Sequence, residues 1–311
     1  MKQMTNKRNW IVACLLACLV ASWVTSRENI ALAQSQETVT LRMLSYNIHG
    51  LPELIVTNHG QYARIGDILA ERRKQGTAPQ IVAIQEGWDF SGTADTLIEH
   101  AQYPYVAHGS QAAGHLLTSG IHILSEFPIE TIDQMSYSDC SSWDCQSTKG
   151  SVHIRVRIPG VPVPIDIYNT HLNSDPDTDP TATLEECKAV RMNQISELAA
   201  FIERTSISNS IVFAPGDFNS FPGSEEILWF YGSSMLQNVL QYCARSGNTC
   251  GNYPKNDLNE AIDHQFFRSG SDHGKRVQVK PVSYVRNFDE IFEGETLSDH
   301  LGLEVEYQIR L

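Results

Sequence analysis

Short apolar runs, each cut off by polar or turn residues, recur along this chain and constrain its fold more than any other feature. They occupy residues 39–48, 80–85, 105–108, 120–124, 151–158, 163–169, 210–214, 261–267, 276–284 and 303–309. Their length and β-branched content suit buried or half-buried strands. In 151–158 the alternation is clean, with Val152, Ile154, Val156 and Ile158 on one face. Helical spacing appears between these runs. Residues 62–74 place Ile65, Ile68 and Leu69 on one stripe, and residues 183–204 place Leu184, Cys187, Ile195, Leu198 and Ile202 on another. Thr183 with Glu186 makes a capping box at the start of the longer helix. Residues 223–231 form a shorter helix whose Trp229-Phe230-Tyr231 reads as core, with a surface contact as the other reading. Residues 233–260 are polar and rich in Gly and Asn, and read as a long surface insertion. Residues 151–169 read as a hairpin around Pro159-Gly160. Strands outnumber helices, so the expectation is an α/β fold of two packed sheets with helices outside, in a single domain.

The N-terminal stretch reads as separate from that fold. Lys2, Lys7 and Arg8 precede an apolar run over residues 10–24, and Ala31-Leu32-Ala33 follows as an A-x-A cleavage pattern. The run is too short for a membrane span of about 20 residues. Residues 1–33 are therefore predicted to be a cleaved signal peptide, and residues 34–311 the domain. The protein is expected to be secreted or periplasmic. Its formal charge of −13 deepens to −16 once Lys2, Lys7, Arg8, Arg27 and Glu28 are removed. Such acidity argues against a nucleic-acid coat protein, which needs a basic face.

Export makes disulfides available. Cys243 and Cys250 flank a polar stretch and staple one loop, and Cys140 or Cys145 could pair with Cys187. The spacings fit no common zinc finger. Polar residues recur at these runs: Asn47, Glu86, His171, Asn173, Asp217 and Asn219 follow apolar strands, Asp263 sits inside 261–267, and the pair Asp299-His300 precedes the last strand. Any one of them reads as a turn former or cap. Brought to one rim, they would supply several carboxylates, amides and two imidazoles. Oxygen donors of this kind suit Mg²⁺, Mn²⁺ or Ca²⁺.

Five motifs occur in order: Leu44-Ser-Tyr-Asn47-Ile-His, Gln85-Glu86, Asn169-Thr-His171-Leu, Gly216-Asp217-Phe-Asn219 and Ser298-Asp299-His300. Together they resemble the endonuclease/exonuclease/phosphatase superfamily, whose fold resembles deoxyribonuclease I. The resemblance implies a four-layer α-β-β-α sandwich of two mixed sheets with outer helices, and a Mg²⁺-dependent attack of water on a phosphoester. By matching position it makes Glu86 the principal metal ligand with Asn47 beside it, and lets Asp299 bind metal. His300 becomes the general base, oriented by Asp263. Asp217 positions the water or a second metal, and Asn219 and His171 donate to the phosphoryl oxygens.

Shorter matches resemble the bacterial neutral sphingomyelinases: Gly60-Gln61-x-x-Arg64, Ser147-x-Lys149-Gly150, the run from Asn169 through Asn173 to Ser174, and Arg191-x-x-Gln194. They imply substrate contacts from Lys149 and Asn173, and they support a bridge from Cys187 to Cys140 or Cys145. Arg191 and Gln194 also read as side chains that bond buried backbone. One difference stands out. Where such enzymes carry an exposed aromatic hairpin, residues 284–296 are short and offer Phe288, Ile291 and Phe292 among Asp289, Glu290, Glu293 and Glu295, a poor anchor on an anionic surface.

The resemblance therefore implies a secreted Mg²⁺-dependent phosphodiesterase, a sphingomyelinase-like phospholipase C acting as a monomer on a phospholipid headgroup with transient membrane-surface contact. The alternative is a deoxyribonuclease I-like endonuclease, whose nucleic-acid partner the acidity opposes. Inositol-phosphate phosphatases place a basic residue where Ser220-Phe221-Pro222-Gly223 has none. A silent binding module is the least favoured reading, since it requires a broken site.

Overall fold

The computed structural model describes residues 38–50, 60–88, 93–176, 179–245, 247–248, 250–251 and 253–310. The signal peptide predicted for residues 1–33 lies outside them. The elements run β1 (Thr38–Asn47), α1 (Gln61–Lys74), β2 (Ile81–Gln85), α2 (Thr93–Ala101), β3 (Tyr105–His108), β4 (His122–Ser125), β5 (Ile129–Ser136), β6 (Gly150–Val156) and β7 (Ile165–His171). Then come α3 (Leu184–Thr205), β8 (Ile211–Asp217), α4 (Glu225–Ser234), β9 (Gln237–Asn238), α5 (Val239–Ala244), α6 (Asp257–Glu260) and β10 (Asp263–Arg268). The chain ends with β11 (Gly270–Asp272), β12 (Lys275–Asn287), β13 (Ile291–Phe292), β14 (Glu295–Thr296) and β15 (Gly302–Arg310).

Among the described residues these strands form two large mixed sheets and one small hairpin. One sheet has the order β11-β12-β15-β1-β2-β4-β3, the other β5-β6-β7-β8-β10-β9. In each, one central pair is parallel, β1 with β2 and β7 with β8. The strands alternate between two interiors rather than between core and water. In β8, Ile211 and Phe213 face the layer between the sheets, while Val212 and Ala214 face the outer helices. In β1, Leu41 and Met43 turn inward and Leu44 and Tyr46 outward. Burial on both faces is why these strands read as continuous apolar runs. Tyr62, Ile65 and Leu69 of α1 cover the first sheet. Ile195, Leu198, Phe201 and Ile202 of α3, with Ile227 and Phe230 of α4, cover the second. This is the four-layer α-β-β-α sandwich, in a single domain, that the motifs implied.

Polar side chains also cross the layer between the sheets. Gln85 Nε2 donates to Asn169 Oδ1 (2.6 Å), and Asn169 Nδ2 donates to the carbonyls of Ile84 (2.7 Å) and His122 (2.9 Å). Gln265 Nε2 donates to the Met43 and Leu303 carbonyls, and Tyr307 donates to Gln265 Oε1. Buried amides are tolerated only when bonded in this way, and each bond fixes one sheet against the other.

The structure departs from expectation in a few places. Strand β5 was not foreseen: it lies at a sheet edge with alternating half-exposed residues, so it needs little apolar content. Helix α2 was missed because it is short and turns only Ala94, Leu97 and Ala101 into the core. Residues 233–260 are not simply a surface insertion: Leu236, Val239, Leu240, Cys243 and Cys250 are buried, and several join the inter-sheet core. Trp229-Phe230-Tyr231 divides, with Phe230 packed on Phe218 and Phe266 and its neighbours exposed.

The cysteine pairing is corrected as well. Cys243 joins Cys250 as expected, but Cys140 joins Cys145. A 3-10 turn over Ser142–Gln146 folds that loop back, bringing the two Cα atoms to 5.2 Å, within bridging range. Cys187 is left as a free, buried thiol under the first turn of α3. Thr183 makes the capping box with Glu186 as the sequence required. No helix among the described residues is long and apolar enough to cross a membrane.

Candidate active site

Strand direction brings the polar positions together. β1 and β2 run parallel, as do β7 and β8, so Asn47, Glu86, His171 and Asp217 lie at C-terminal ends on one rim. β10 and β15 run antiparallel to their neighbours, so their starts reach the same rim. Asp263 sits in register opposite Asp217, and Asp299-His300 leads into β15 next to β1. This explains why the sequence motifs fall at the ends of some strands and at the beginnings of others.

Asn47 is the hinge of the cluster. Its Nδ2 donates to Glu86 Oε1 (2.9 Å) and to Asp217 Oδ2 (3.0 Å), so two carboxylates converge on one amide. His171 Nε2 stands 3.6 Å from Asp217 Oδ2 and 3.8 Å from Glu86 Oε1. On the other side of Asp217, His300 Nδ1 is bonded to Asp263 Oδ2 (3.0 Å), and its Nε2 is 3.9 Å from Asp217 Oδ2. Glu86, His171 and Asp217 form one group whose ligand atoms lie within 4.8 Å of one another, and Asp217, Asp263 and His300 form a second. Asp217 belongs to both.

Electrostatics follow the packing. Burial works against a charge on His300, but the adjacent Asp263, with Asp217 and Asp299 behind it, outweighs that penalty and raises the imidazole to about 10. Burial also raises the Glu86 carboxyl, though Lys149 and the Asn47 amide pull it back. Burial and the Lys149 ammonium hold His171 well below its ordinary value, so its ring is neutral. The Glu86 and Asp217 carboxylates share the Asn47 amide as a donor, and the Asn47 oxygen accepts from the His49 N–H. The two acids, with the His171 ring beside them, fit a divalent cation, Glu86 and Asp217 being the nearest oxygen holders.

The other expected residues are placed as follows. Asn219 donates from its side chain to the Leu172 carbonyl (2.9 Å), and its backbone N–H donates to Asp217 Oδ1. Lys149 is buried behind His171, with Nζ 2.8 Å from His171 Nε2 and bonded to the Leu172 carbonyl and to Asp144. Asp299 sits at the mouth, bonded to His49 (3.0 Å). Asn173 lies outside the cluster, and both ends of its amide are engaged, by the Ser141 N–H and the Ser174 carbonyl. Arg191 and Gln194 bond buried backbone at Asn173 and Asp139.

Three functional neighbours escaped the sequence reading. His49 bridges Asp299 and Glu86, and its pairing with Asp299 raises its basicity. Its signal was present, since His49 closes the Leu44-Ser-Tyr-Asn47-Ile-His motif. Asp144 holds Lys149 from the 3-10 turn, and Arg286 stands 3.6 Å behind Asp263 while bonded to Asp257. These come from loops and a distant strand, so no local pattern marks them. His49, Glu86 and Asn219 all have positive φ. The left-handed region is costly for such residues and is held only where surrounding bonds impose it.

The Endonuclease/Exonuclease/phosphatase family model matches residues 44–300. The sequence is 26% identical over 275 residues to a sphingomyelinase of Mycobacterium bovis, covering 83% of this chain and 50% of that protein. The chain thus spans about half the length of the curated relatives of that kind. Its fold resembles that of a variant of beta toxin from Staphylococcus aureus with bound magnesium ions (TM-score 0.62, 19% identity, 86% of this chain and 99% of that one). It also resembles D. rerio TDP2 complexed with single strand DNA product (TM-score 0.61, 16% identity, 86% and 98% covered). With its motifs meeting at one rim of a two-sheet sandwich, the chain belongs to the Endonuclease/Exonuclease/phosphatase family.

Proposed function

We propose that the chain is a secreted, Mg²⁺-dependent phosphodiesterase, a sphingomyelinase-like phospholipase C that acts as a monomer on a phospholipid headgroup. The observation that carries this reading is the His300–Asp263 pair at 3.0 Å, directed at Asp217 across from Glu86 and Asn47. The likeness to a sphingomyelinase supports the lipid, and a zwitterionic headgroup suits the charge of −16 that remains once residues 1–33 are removed. Residues 1–33 as a removable signal and two disulfides fit an oxidising compartment.

Water attacks phosphorus and gives its proton to His300 Nε2, while Asp263 accepts from Nδ1–H and steadies the imidazolium that forms. The phosphorus–oxygen bond to the lipid alcohol breaks on the opposite side, its electron pair leaves with that oxygen, and the alkoxide takes a proton from solvent water. The spare amide hydrogen of Asn219 donates to a phosphoryl oxygen. Lys149 donates into His171 Nε2, so the two act as one unit that places positive charge on that flank. Asp217 orients the water. Asp299 and His49 hold the mouth beside Glu86, and the Asn173 loop shapes the entrance. Glu86 and Asp217, with Asn47 and Asp299 beside them, would hold a divalent cation, which would supply charge that offsets these acids and polarise the phosphoryl group, so that His300 could lose its proton near neutrality.

The structural likeness to a protein bound to single-stranded DNA supports a second reading, a nuclease. One purified preparation tested on sphingomyelin vesicles and on plasmid DNA separates the two. Phosphocholine release with intact plasmid supports the lipid reading; nicked plasmid with intact lipid replaces it.

A further inference from the structure

The exposed side of α4 is unlike the rest of this acidic chain. Residues 227–244 contain no Asp, Glu, Lys, Arg or His. Within that segment Leu228 (54% exposed), Tyr231 (43%) and Met235 (70%) follow at helical spacing, with Trp229 (40%) beside them. Phe221, 51% exposed, precedes the helix. Large apolar side chains grouped in this way on a soluble protein mark a contact surface. The opposite side of α4 is spent on the core, through Ile227 and Phe230. Along the chain, Glu225 in the first turn is the nearest exposed charge.

The position of this face ties it to the site. Phe221 follows Asn219 by two residues. Glu226, buried in the first turn, bonds Arg191, which also donates to the Asn173 carbonyl two residues past His171. The start of α4 is thus tied to the segment that follows His171. The small hairpin of β13 and β14 offers exposed Ile291, but it is flanked by Glu290, Glu293 and Glu295, and Arg64 holds Glu290.

We propose that the exposed face of α4, with Phe221 at its entrance, docks on the surface of a zwitterionic phospholipid bilayer. The inference rests on the lipid reading above and names the part of the protein that meets the membrane. Trp and Tyr suit the headgroup level, where the ring is buried and its polar atom stays wet. A charge-free patch avoids the repulsion that the remaining acidic surface would meet on an anionic membrane.

The test uses the whole protein and vesicles of phosphatidylcholine with sphingomyelin, alongside a water-soluble phosphocholine ester. Replacing Trp229→Ser together with Tyr231→Ser should weaken vesicle binding at least tenfold and slow vesicle hydrolysis in proportion. Turnover of the soluble ester should change less than twofold. Leu228→Ser with Met235→Ser, at separate positions, gives the same pattern if the first pair does not fold. Ile132→Ser, exposed on the far edge strand β5, leaves both rates unchanged. Brominated lipid should quench wild-type fluorescence, and Trp229→Phe should lose that quenching while it keeps most of the binding. Soluble-ester and vesicle rates that are equal in wild type and both variants overturn the docking surface alone. A wild type that cleaves neither substrate overturns the lipid reading itself. A dimer that the same variants dissolve, with vesicle binding unchanged, assigns the face to a second copy and also overturns the proposal.

Discussion

At the scale of single residues, His300 is where geometry and charge meet. His300→Ala should lower turnover by about 10²–10⁴-fold, the usual worth of a positioned general base, with an unchanged circular dichroism spectrum. Retained turnover places the base elsewhere. The raised imidazole also makes a signed prediction. In metal-free protein His300 is raised to about 10 because Asp263, Asp217 and Asp299 outweigh burial. A group raised on folding contributes stability that is fully present below its unfolded value near 6.5, and that is lost as pH rises through about 10. Melting temperature in chelator should therefore decline over that window, and less so in His300→Ala. Added Mg²⁺ should move the imidazole titration, followed by NMR, toward neutrality, because the cation offsets the same carboxylates. A titration that ignores Mg²⁺ would place the metal away from this cluster. Most of these residues were readable from the motifs. His49, Asp144 and Arg286 were not: His49 and Arg286 act through partners distant in sequence, and Asp144 reaches Lys149 only through the 3-10 turn.

At the scale of elements, the close approach of β7 and β8 sets the spacing of His171 and Asp217. Gly216 lies opposite Thr170 in that pair, and a Cβ there would come within 2.4 Å of the Thr170 carbonyl. Gly216→Ala should cost about 1–3 kcal/mol, as overpacked sites do, measured by urea denaturation. It should also lower kcat by spreading His171 and Asp217. An alanine variant of full stability would show that the strands have slack. The strands and the long helix were legible because their runs are apolar and their cap is explicit. Strand β5 and helix α2 were not, since an edge strand and a short outer helix bury too few side chains to leave a period. The Cys140–Cys145 bridge was missed because only the 3-10 turn brings those residues together.

At the scale of the whole molecule, two sheets are locked by buried amides below a rim crowded with acids. Chelation should abolish phosphodiester hydrolysis, and Mg²⁺ should restore it. At 100 times its Kd the cation should also stabilise the fold by about 2.7 kcal/mol, read as a rise in melting temperature. Full activity in chelator would sink the metal mechanism. The sequence by itself determined the buried strands, the long capped helix and the candidate site residues, because local pattern and side-chain chemistry are properties of short segments. It also set the acidity that disfavours polyanions. Only the tertiary structure decided that Asp217 is shared between two ligand groups, that Lys149 and His171 form one unit, and that Cys187 is left unpaired. It also turned Trp229 and Tyr231 outward while Phe230 joined the core. These depend on how strands of opposite direction meet and which helix face the sheet leaves uncovered, and no local run of residues encodes either.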